Sequence, residues 1–569
     1  MVKRHPILHR SPLSVSILYN PKGVALMSKQ ENEARLVSRR SFLKKTALLS
    51  AGAAAAGALV GCSPSTAKST AAQKWDKEVD LLVVGSGTVI MAAIAGKDAG
   101  LESVLVIEKS PAFGGTSALS GGGMWIPLNY SEIENGIEDN REDVLKYLKT
   151  VSAGQSTDEL MEAYVDNAGK MLEWLRDDHG YTFSIGSTQY NDYYQVDGYR
   201  KIGRSVYPIK DGQSAGGPGF WEMLKATATE LGVEIMLETT ASRLVLNEAG
   251  EVAGVVVQTN DGELAIKAKH GVVLGTGGFD FNKDMVDAYL RGPIQCSVAV
   301  RTNTGDGQLM GMAIGADLRN MNESWGVPFF PIDLENLRGE ADWQLYRGRP
   351  GAIVVNKHGE RFGNEAASYE LFQRAFYTWD TGAFEWRNIP AYFICDSSFT
   401  ERYFLPGSNY TPGVIPDFMQ TYDTLEDLAA GTGIDVDGLM ATVEAFNANA
   451  EEGKDPIWHR GEFDFDLGTA GDATRTDLKN ICLAPIAKGP FYVGVYGPGT
   501  CGTSGGLRIN KDAQVLNVWG EVIPRLYAVG NTAGSVFGAA YPGGGSTVGQ
   551  GTVMAMLAAR HAATLEPQA

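Results

Sequence analysis

Short apolar runs closed by glycine alternate along this chain with stretches of helical period. Residues 80–84 form a run that stops at Gly85, the pattern of a buried parallel strand. Residues 92–99 follow as a helix, and Val104–Ile107 as a second strand. Helical spacing recurs over residues 142–151, 158–176 and 219–231. Residues 233–237, 241–247, 252–258 and 264–268 then read as strands of a small β-layer. Residues 270–274 form a strand that runs into Gly275-Thr-Gly277-Gly278. Asn303-Thr-Gly-Asp306-Gly307 opens a helix, and residues 552–563 carry the last one, starting near Gly549. Strands alternating with helices predict an α/β chain.

Two glycine-rich stretches give this pattern a chemistry. In Leu81-Leu-Val-Val-Gly85-Ser-Gly87, Gly85 suits a tight turn after a strand. Gly87 lets the backbone approach a pyrophosphate at the N-terminus of the next helix. Glu108 closes the second strand, at the usual spacing of ~20 residues for an acid that accepts ribose hydroxyls. The third glycine of that fingerprint is Ile90 here, which predicts a helix seated slightly further from its strand. The acid favours an unphosphorylated ribose. Gly114-Gly115-Thr116-Ser117, continuing to Gly121-Gly122-Gly123, favours FAD over NAD. The second stretch is Leu526-Tyr-Ala-Val-Gly530-Asn531, running into Tyr541-Pro-Gly-Gly-Gly545-Ser-Thr547-Val548-Gly549. It returns the chain to the flavin ring. Ala241, Gly277 and Asp306 complete the residues assigned to FAD, which is expected to bind noncovalently because no attachment residue is evident.

The predicted fold is α/β with an α+β insert. A Rossmann-like FAD-binding domain of the glutathione-reductase type is interrupted by a substrate-binding domain. Its first part covers residues 76–298, the substrate domain 299–484, and the second part 485–569.

Composition narrows the function. A net charge of −18 argues against nucleic-acid binding. The 69 glycines show no period, which fits phosphate and flavin loops rather than collagen. The five cysteines, Cys62, Cys296, Cys395, Cys482 and Cys501, contain no Cys-x-x-Cys pair. That excludes covalent c-type haem and gives no support to a four-cysteine iron–sulfur cluster. The seven histidines are scattered without metal-ligand spacing, so no metal is expected. Electrons must therefore reach or leave the flavin through another molecule. The four later cysteines read as buried small hydrophobes.

The first 62 residues read as a leader. Ser38-Arg39-Arg40-Ser41-Phe42-Leu43-Lys44 is a twin-arginine signature, and residues 47–60 form a weakly apolar run of signal type. Leu59-Val60-Gly61-Cys62-Ser63 resembles a lipoprotein signal-peptidase box, with Cys62 as the lipidated first residue of the mature chain. Residues 63–75 read as a tether. Met27 reads as a start codon position. The expected location is outside the cytoplasmic membrane, held by the lipid anchor alone.

With these segments in order, residues 79–563 resemble the fumarate reductase/3-ketosteroid dehydrogenase flavoprotein superfamily. The closer likeness is to the 3-ketosteroid Δ1-dehydrogenases. It rests on Gly121-Gly-Gly-Met-Trp-Ile-Pro127, Asn191-Asp-Tyr193-Tyr194, Asn303-Thr-Gly-Asp-Gly307, Arg361-Phe-Gly-Asn-Glu-Ala-Ala-Ser-Tyr369, Trp458-His-Arg-Gly461, Gly502-Thr-Ser-Gly-Gly-Leu-Arg508 and Ala540-Tyr-Pro-Gly-Gly-Gly545. Where fumarate reductases place two arginines and a histidine, this chain has Tyr369, Tyr541 and Gly502. A buried dicarboxylate needs such cations, whereas tyrosines suit a neutral carbonyl.

The resemblance implies four roles. Tyr369 is the base next to the ketone, and Tyr193 supports it. Tyr541 and the N–H of Gly545 hold the carbonyl. A phenol ionises near pH 10, so Tyr369 is expected to be helped toward phenolate by its neighbours. Trp125, Trp325 and Phe537 either line an apolar pocket or pack in the core. The implied enzyme interconverts CH–CH and C=C next to a ketone, on a 3-ketosteroid or another bulky enone, with a quinone or cytochrome as electron partner. Two alternatives stay open: an exported ene-reductase of another unsaturated carbonyl compound, and an electron-transfer flavoprotein without its own substrate.

Overall fold

The computed structural model describes residues 73–186, 192–343 and 345–569. The leader, its Cys62 and Met27 lie outside the described residues, as does Asn191.

The strand Lys77–Val84 is buried on both faces over its last four residues, because its Leu-Leu-Val-Val run leaves no polar side for solvent. It sits centrally in a sheet ordered Gln514–Leu516, Val522–Ala528, Gly262–Leu274, Lys77–Val84, Val104–Ile107, Glu234–Met236. The last five of these pair in parallel. Val84 lies opposite Ile107 and Leu274, and Leu274 opposite Ala528. Gly85, Glu108, Gly275 and Val529 therefore leave the sheet together at its carboxyl edge, where ligands bind in open parallel sheets.

Two readings of this region change. Residues 264–268 and 270–274 belong to one strand, Gly262–Leu274. Its first half also pairs antiparallel with Val252–Thr259, which in turn pairs with Thr240–Leu246. Residues 233–237 do not join that antiparallel layer: Glu234–Met236 is the parallel edge strand of the main sheet. The helix Ile90–Asp98 is buried from Ile90 to Gly96. Close approach to the sheet comes at Gly96, where a Cβ would lie 3.0 Å from Leu81.

A second, mostly antiparallel sheet is built around the 13-residue strand Phe491–Thr503. The first half of that strand pairs with Ala391–Asp396 and the second half with Ser324–Asp333. The expected domain boundary at residue 485 is therefore too early, because the chain leaves this sheet only after Thr503. Cys296–Ser297, placed in the first domain by the sequence reading, also pairs with this strand. The helix Asp158–His179 runs three residues past its expected end. Thr157 caps its N-terminus and Gly180, at φ +71°, its C-terminus. The last helix is Ser546–Ala563, so it starts before Gly549, which backs onto the Trp125 carbonyl from inside the first turn.

Candidate active site

Gly85, at φ +105°, has no room for a side chain, since a Cβ would fall 2.2 Å from the Gly275 carbonyl oxygen. Only glycine lets the two strand ends approach this closely. The Glu108 carboxylate is buried and already engaged on this loop. Its Oε2 accepts from the Ser86 N–H at 3.1 Å and the Ser86 hydroxyl at 2.7 Å. Its Oε1 accepts from the Ser110 N–H at 2.8 Å. A carboxylate has four acceptor positions, so one side of Oε1 remains for a ribose hydroxyl. Lys109 is held by Thr304 at 2.8 Å and Asp306 at 2.7 Å.

One cavity of about 610 Å³ connects every residue assigned to FAD. Gly85, Gly87 and Glu108 line it from the main sheet, and Gly115, Thr116, Ser117, Gly121 and Gly122 from the segment after the second strand. Ala241, Gly277, Asp306, Gly530, Asn531, Thr547 and Val548 complete this part of the wall. A Cβ at Gly115 or Gly121 would meet nothing within 4 Å, so these backbones face open space. The buried Thr547 hydroxyl lines the cavity beside Tyr541 and hydrogen-bonds to it. The helix Ser546–Ala563 behind it has Gly545 at its N-cap and no side-chain cap; the Ser546 N–H donates to the Gly543 carbonyl, which leaves the Thr547 and Val548 N–H groups for a ligand. Backbone donors, glycines whose backbones face open space and a ribose-type carboxylate fit FAD.

The same cavity holds Tyr193, Tyr369, Tyr541 and Gly545. Tyr193 is carried by a segment paired with the loop before the last helix: its N–H donates to Pro542 at 2.9 Å, and Asp192 bridges Gly543. Tyr369 opens the short helix Tyr369–Arg374, capped by Ser368. The Tyr193 hydroxyl donates to the Tyr369 oxygen at 2.8 Å. The Tyr193 and Tyr541 rings stack at 5.6 Å and 22°. Tyr369 and Tyr541 meet edge to face at 5.8 Å.

Burial pushes the Tyr369 and Tyr193 phenols well above 10 and Tyr541 up to about 12. Charge on Tyr193 or Tyr541 raises Tyr369 further, whereas the bond with Tyr369 lowers Tyr193 and Tyr541, so neighbours do not draw Tyr369 itself toward phenolate as expected.

No guanidinium lines this cavity among the described residues. Its one cation is Lys109, paired with Asp306. Gly502, where fumarate reductases carry histidine, has φ +150°, and a Cβ there would fall 2.4 Å from Asn531 Nδ2. No cluster of three or more His, Cys, Asp or Glu side chains among the described residues is placed for a metal.

Several lining residues went unrecognised in the sequence. Trp343 is 43% exposed and stands edge-on to Tyr369 at 5.4 Å, while Leu119 is 68% exposed. Tyr207 and Cys501 also line the cavity. Cys501 is thus not simply core: its Sγ–H donates to the Trp325 carbonyl at 3.3 Å, and burial holds the thiol at about 12. Lys109 directly follows Glu108 and was findable from that position; nothing in the sequence pointed to Trp343. Trp125 and Phe537 pack in the core, 5.7 Å apart. Trp325 lies behind the site, with its Nε1 donating to Asn531 at 2.9 Å.

Glycine loops at a common sheet edge, a ribose-type acid and one cavity joining two helix N-termini define a flavin dinucleotide protein. The chain belongs to the FAD binding domain family, whose match covers residues 80–548, and it is an FAD-dependent oxidoreductase. It is 34% identical over 536 residues to 4-oxocyclohexanecarboxylate 2-dehydrogenase of Sinomonas cyclohexanicum, covering 84% of this chain and 92% of that protein. It is 30% identical to digoxin reductase of Eggerthella lenta, covering 94% and 98%. Among solved structures it is similar to 3-ketosteroid delta1-dehydrogenase from Sterolibacterium denitrificans in complex with 1,4-androstadiene-3,17-dione. The TM-score there is 0.79 at 32% identity, over 86% of this chain and 99% of that one.

Proposed function

We propose that this enzyme interconverts CH–CH and C=C next to a ketone, on a 3-ketosteroid or a similar bulky apolar enone. The observation that carries the reading is the neutral tyrosine cluster: Tyr193 hydrogen-bonded to Tyr369 at 2.8 Å, with Tyr541 stacked beside them in a wall that has no guanidinium. A dicarboxylate has no partner here, whereas a carbonyl oxygen finds hydroxyl and N–H donors.

FAD, when bound, takes or supplies the hydride of the carbon one further from the carbonyl. Gly85, Gly87, Glu108, Gly115 and Thr547 are placed to hold it. Tyr541 and the Gly545 N–H donate to the ketone oxygen, where negative charge grows as the adjacent proton leaves. Tyr369 exchanges that proton, and the hydrogen bond from Tyr193 supports its oxygen when it is charged. Trp343 and Leu119 supply the apolar surface that a bulky ring system needs at the mouth.

Reduction fits the expected exported setting as the working direction. The likeness to a protein named a reductase supports the same direction. That match covers more of the chain than residues 73–569 make up, so it extends into the segment before them. Arg39, Arg40 and Cys62 support export by the twin-arginine route with lipid anchoring, and a quinone or surface cytochrome as electron partner. Noncovalent FAD binding belongs to the same reading. An electron-transfer role alone leaves the three converging tyrosines without a purpose.

The test is to reduce the purified enzyme chemically and follow flavin reoxidation by a panel of enones, with fumarate beside them. Reoxidation by bulky enones and not by fumarate is expected. Reoxidation by fumarate alone would overturn the reading.

A further inference from the structure

The three tyrosines come from segments far apart in the chain, and a second set of side chains ties those segments together behind the cavity. Tyr194, next to Tyr193, donates to Glu370 Oε2 at 2.6 Å. Glu370, next to Tyr369, accepts at Oε1 from Arg374 Nε at 2.7 Å. Arg374 Nη2 reaches the carbonyl of Ala539, two residues before Tyr541. None of these three side chains lines the cavity. Glu370 is 2% exposed, and Arg374 leans on Glu323 at 3.4 Å, which also pairs with Arg291.

We propose that Tyr194, Glu370 and Arg374 form a latch that sets the spacing of Tyr193, Tyr369 and Tyr541, which makes Tyr194 and Glu370 positioning residues for the reaction. The proposal rests on the reading of those tyrosines as the reacting cluster. Burying an ion pair is no route to stability in itself, because desolvation offsets the attraction and an apolar filling is often as good. A geometric role fits what the pair touches: one residue from each reactive segment. Backbone pairing at Pro542 already joins the Tyr193 and Tyr541 segments. The latch adds the helix of Tyr369 to them. Proton transfer requires oxygen positions good to a fraction of an ångström, and misplacement by 1 Å costs on the order of a hundredfold.

The experiment uses the FAD-loaded enzyme, with 1,4-androstadiene-3,17-dione as probe and a reduced viologen dye as donor. Tyr194→Phe keeps the ring and deletes the bond to Glu370. It is expected to lower kcat about tenfold or more while KM stays within about threefold, because the cavity wall is untouched. Glu370→Gln keeps an acceptor for Tyr194 and is expected to lose less than Tyr194→Phe. Tyr194 also accepts from the Tyr541 N–H, so adding Tyr194→Phe to Glu370→Ala is expected to slow the enzyme further, but by less than Tyr194→Phe slows the unmodified enzyme, since the two share one bond. Turnover of Tyr194→Phe within twofold of the unmodified enzyme overturns the latch, as does a fall in kcat matched by an equal rise in KM. Tyr369→Phe is assayed alongside: if it stays active, the reading beneath the proposal has failed, whereas an inactive Tyr369→Phe beside an active Tyr194→Phe refutes the latch alone.

Discussion

The Tyr193 hydroxyl lies 2.8 Å from that of Tyr369, 176 residues further along the chain, and donates its proton to it. With its oxygen already accepting, Tyr369 is left to direct its own O–H elsewhere in the site.

Tyr369→Phe removes that proton and keeps the ring. Turnover should fall by roughly 100-fold or more with little change in substrate binding. Tyr541→Phe removes a donor whose bond strengthens as charge grows on the ketone oxygen, and should add roughly 2–4 kcal/mol to the barrier. Stopped-flow reoxidation of reduced enzyme by an enone measures both. Unchanged rates would take the tyrosines out of the chemistry.

The pH profile should differ with direction. Burial raises Tyr369 well above 10, so the basic form is scarce at neutral pH and grows as pH rises. Dehydrogenation of a saturated 3-ketosteroid should therefore quicken about tenfold per pH unit between roughly pH 7 and 9. Reduction uses the neutral phenol, which is already dominant there, and should stay nearly flat. A dehydrogenation rate that levels off below pH 8 would show a base with a lowered pKa.

Glu108→Ala should weaken FAD binding by roughly 1–3 kcal/mol, through the lost ribose contact and the released Ser86 loop. Titration of the apoprotein with FAD gives the value. Acid precipitation of the unmodified enzyme should release the flavin into the supernatant; flavin that stays with the pellet would mean a covalent bond.

Gly502→Ala should be costly although it adds one methyl group. At φ +150° the new Cβ falls 2.4 Å from Asn531 Nδ2, and Asn531 holds Trp325 at 2.9 Å behind the cavity. A loss of roughly 1–3 kcal/mol is expected, read as a lower melting temperature with a smaller rise on adding FAD. An unshifted melting curve would mean that this corner relaxes freely.

For the leader, replacing Arg39 and Arg40 together by lysine should hold the protein in the cytoplasm, because the twin-arginine route reads both guanidinium groups. Cys62→Ser should free exported protein from the membrane. Cell fractionation follows both, and membrane association that survives Cys62→Ser would refute lipid anchoring.

The nucleotide half of this protein is legible in its local residue pattern. Gly85, Gly87, Glu108 and the run from Gly115 to Gly122 announce themselves because turn geometry and strand burial depend on neighbours a few residues away. The helix Asp158–His179 was legible for the same reason, with its period and its Thr157 and Gly180 caps all local. Where Phe491–Thr503 belongs is settled by packing, since a strand's partners are set by hydrogen bonds to distant segments and its composition is the same in either sheet. The placing of Glu234–Met236 at the parallel edge was hidden for that reason too. The neutral state of the tyrosine cluster, the position of Trp343 over Tyr369 and the link from Tyr194 to Glu370 were also beyond the sequence. Each depends on what surrounds a side chain in space, and desolvation and contact exist only once the chain has packed.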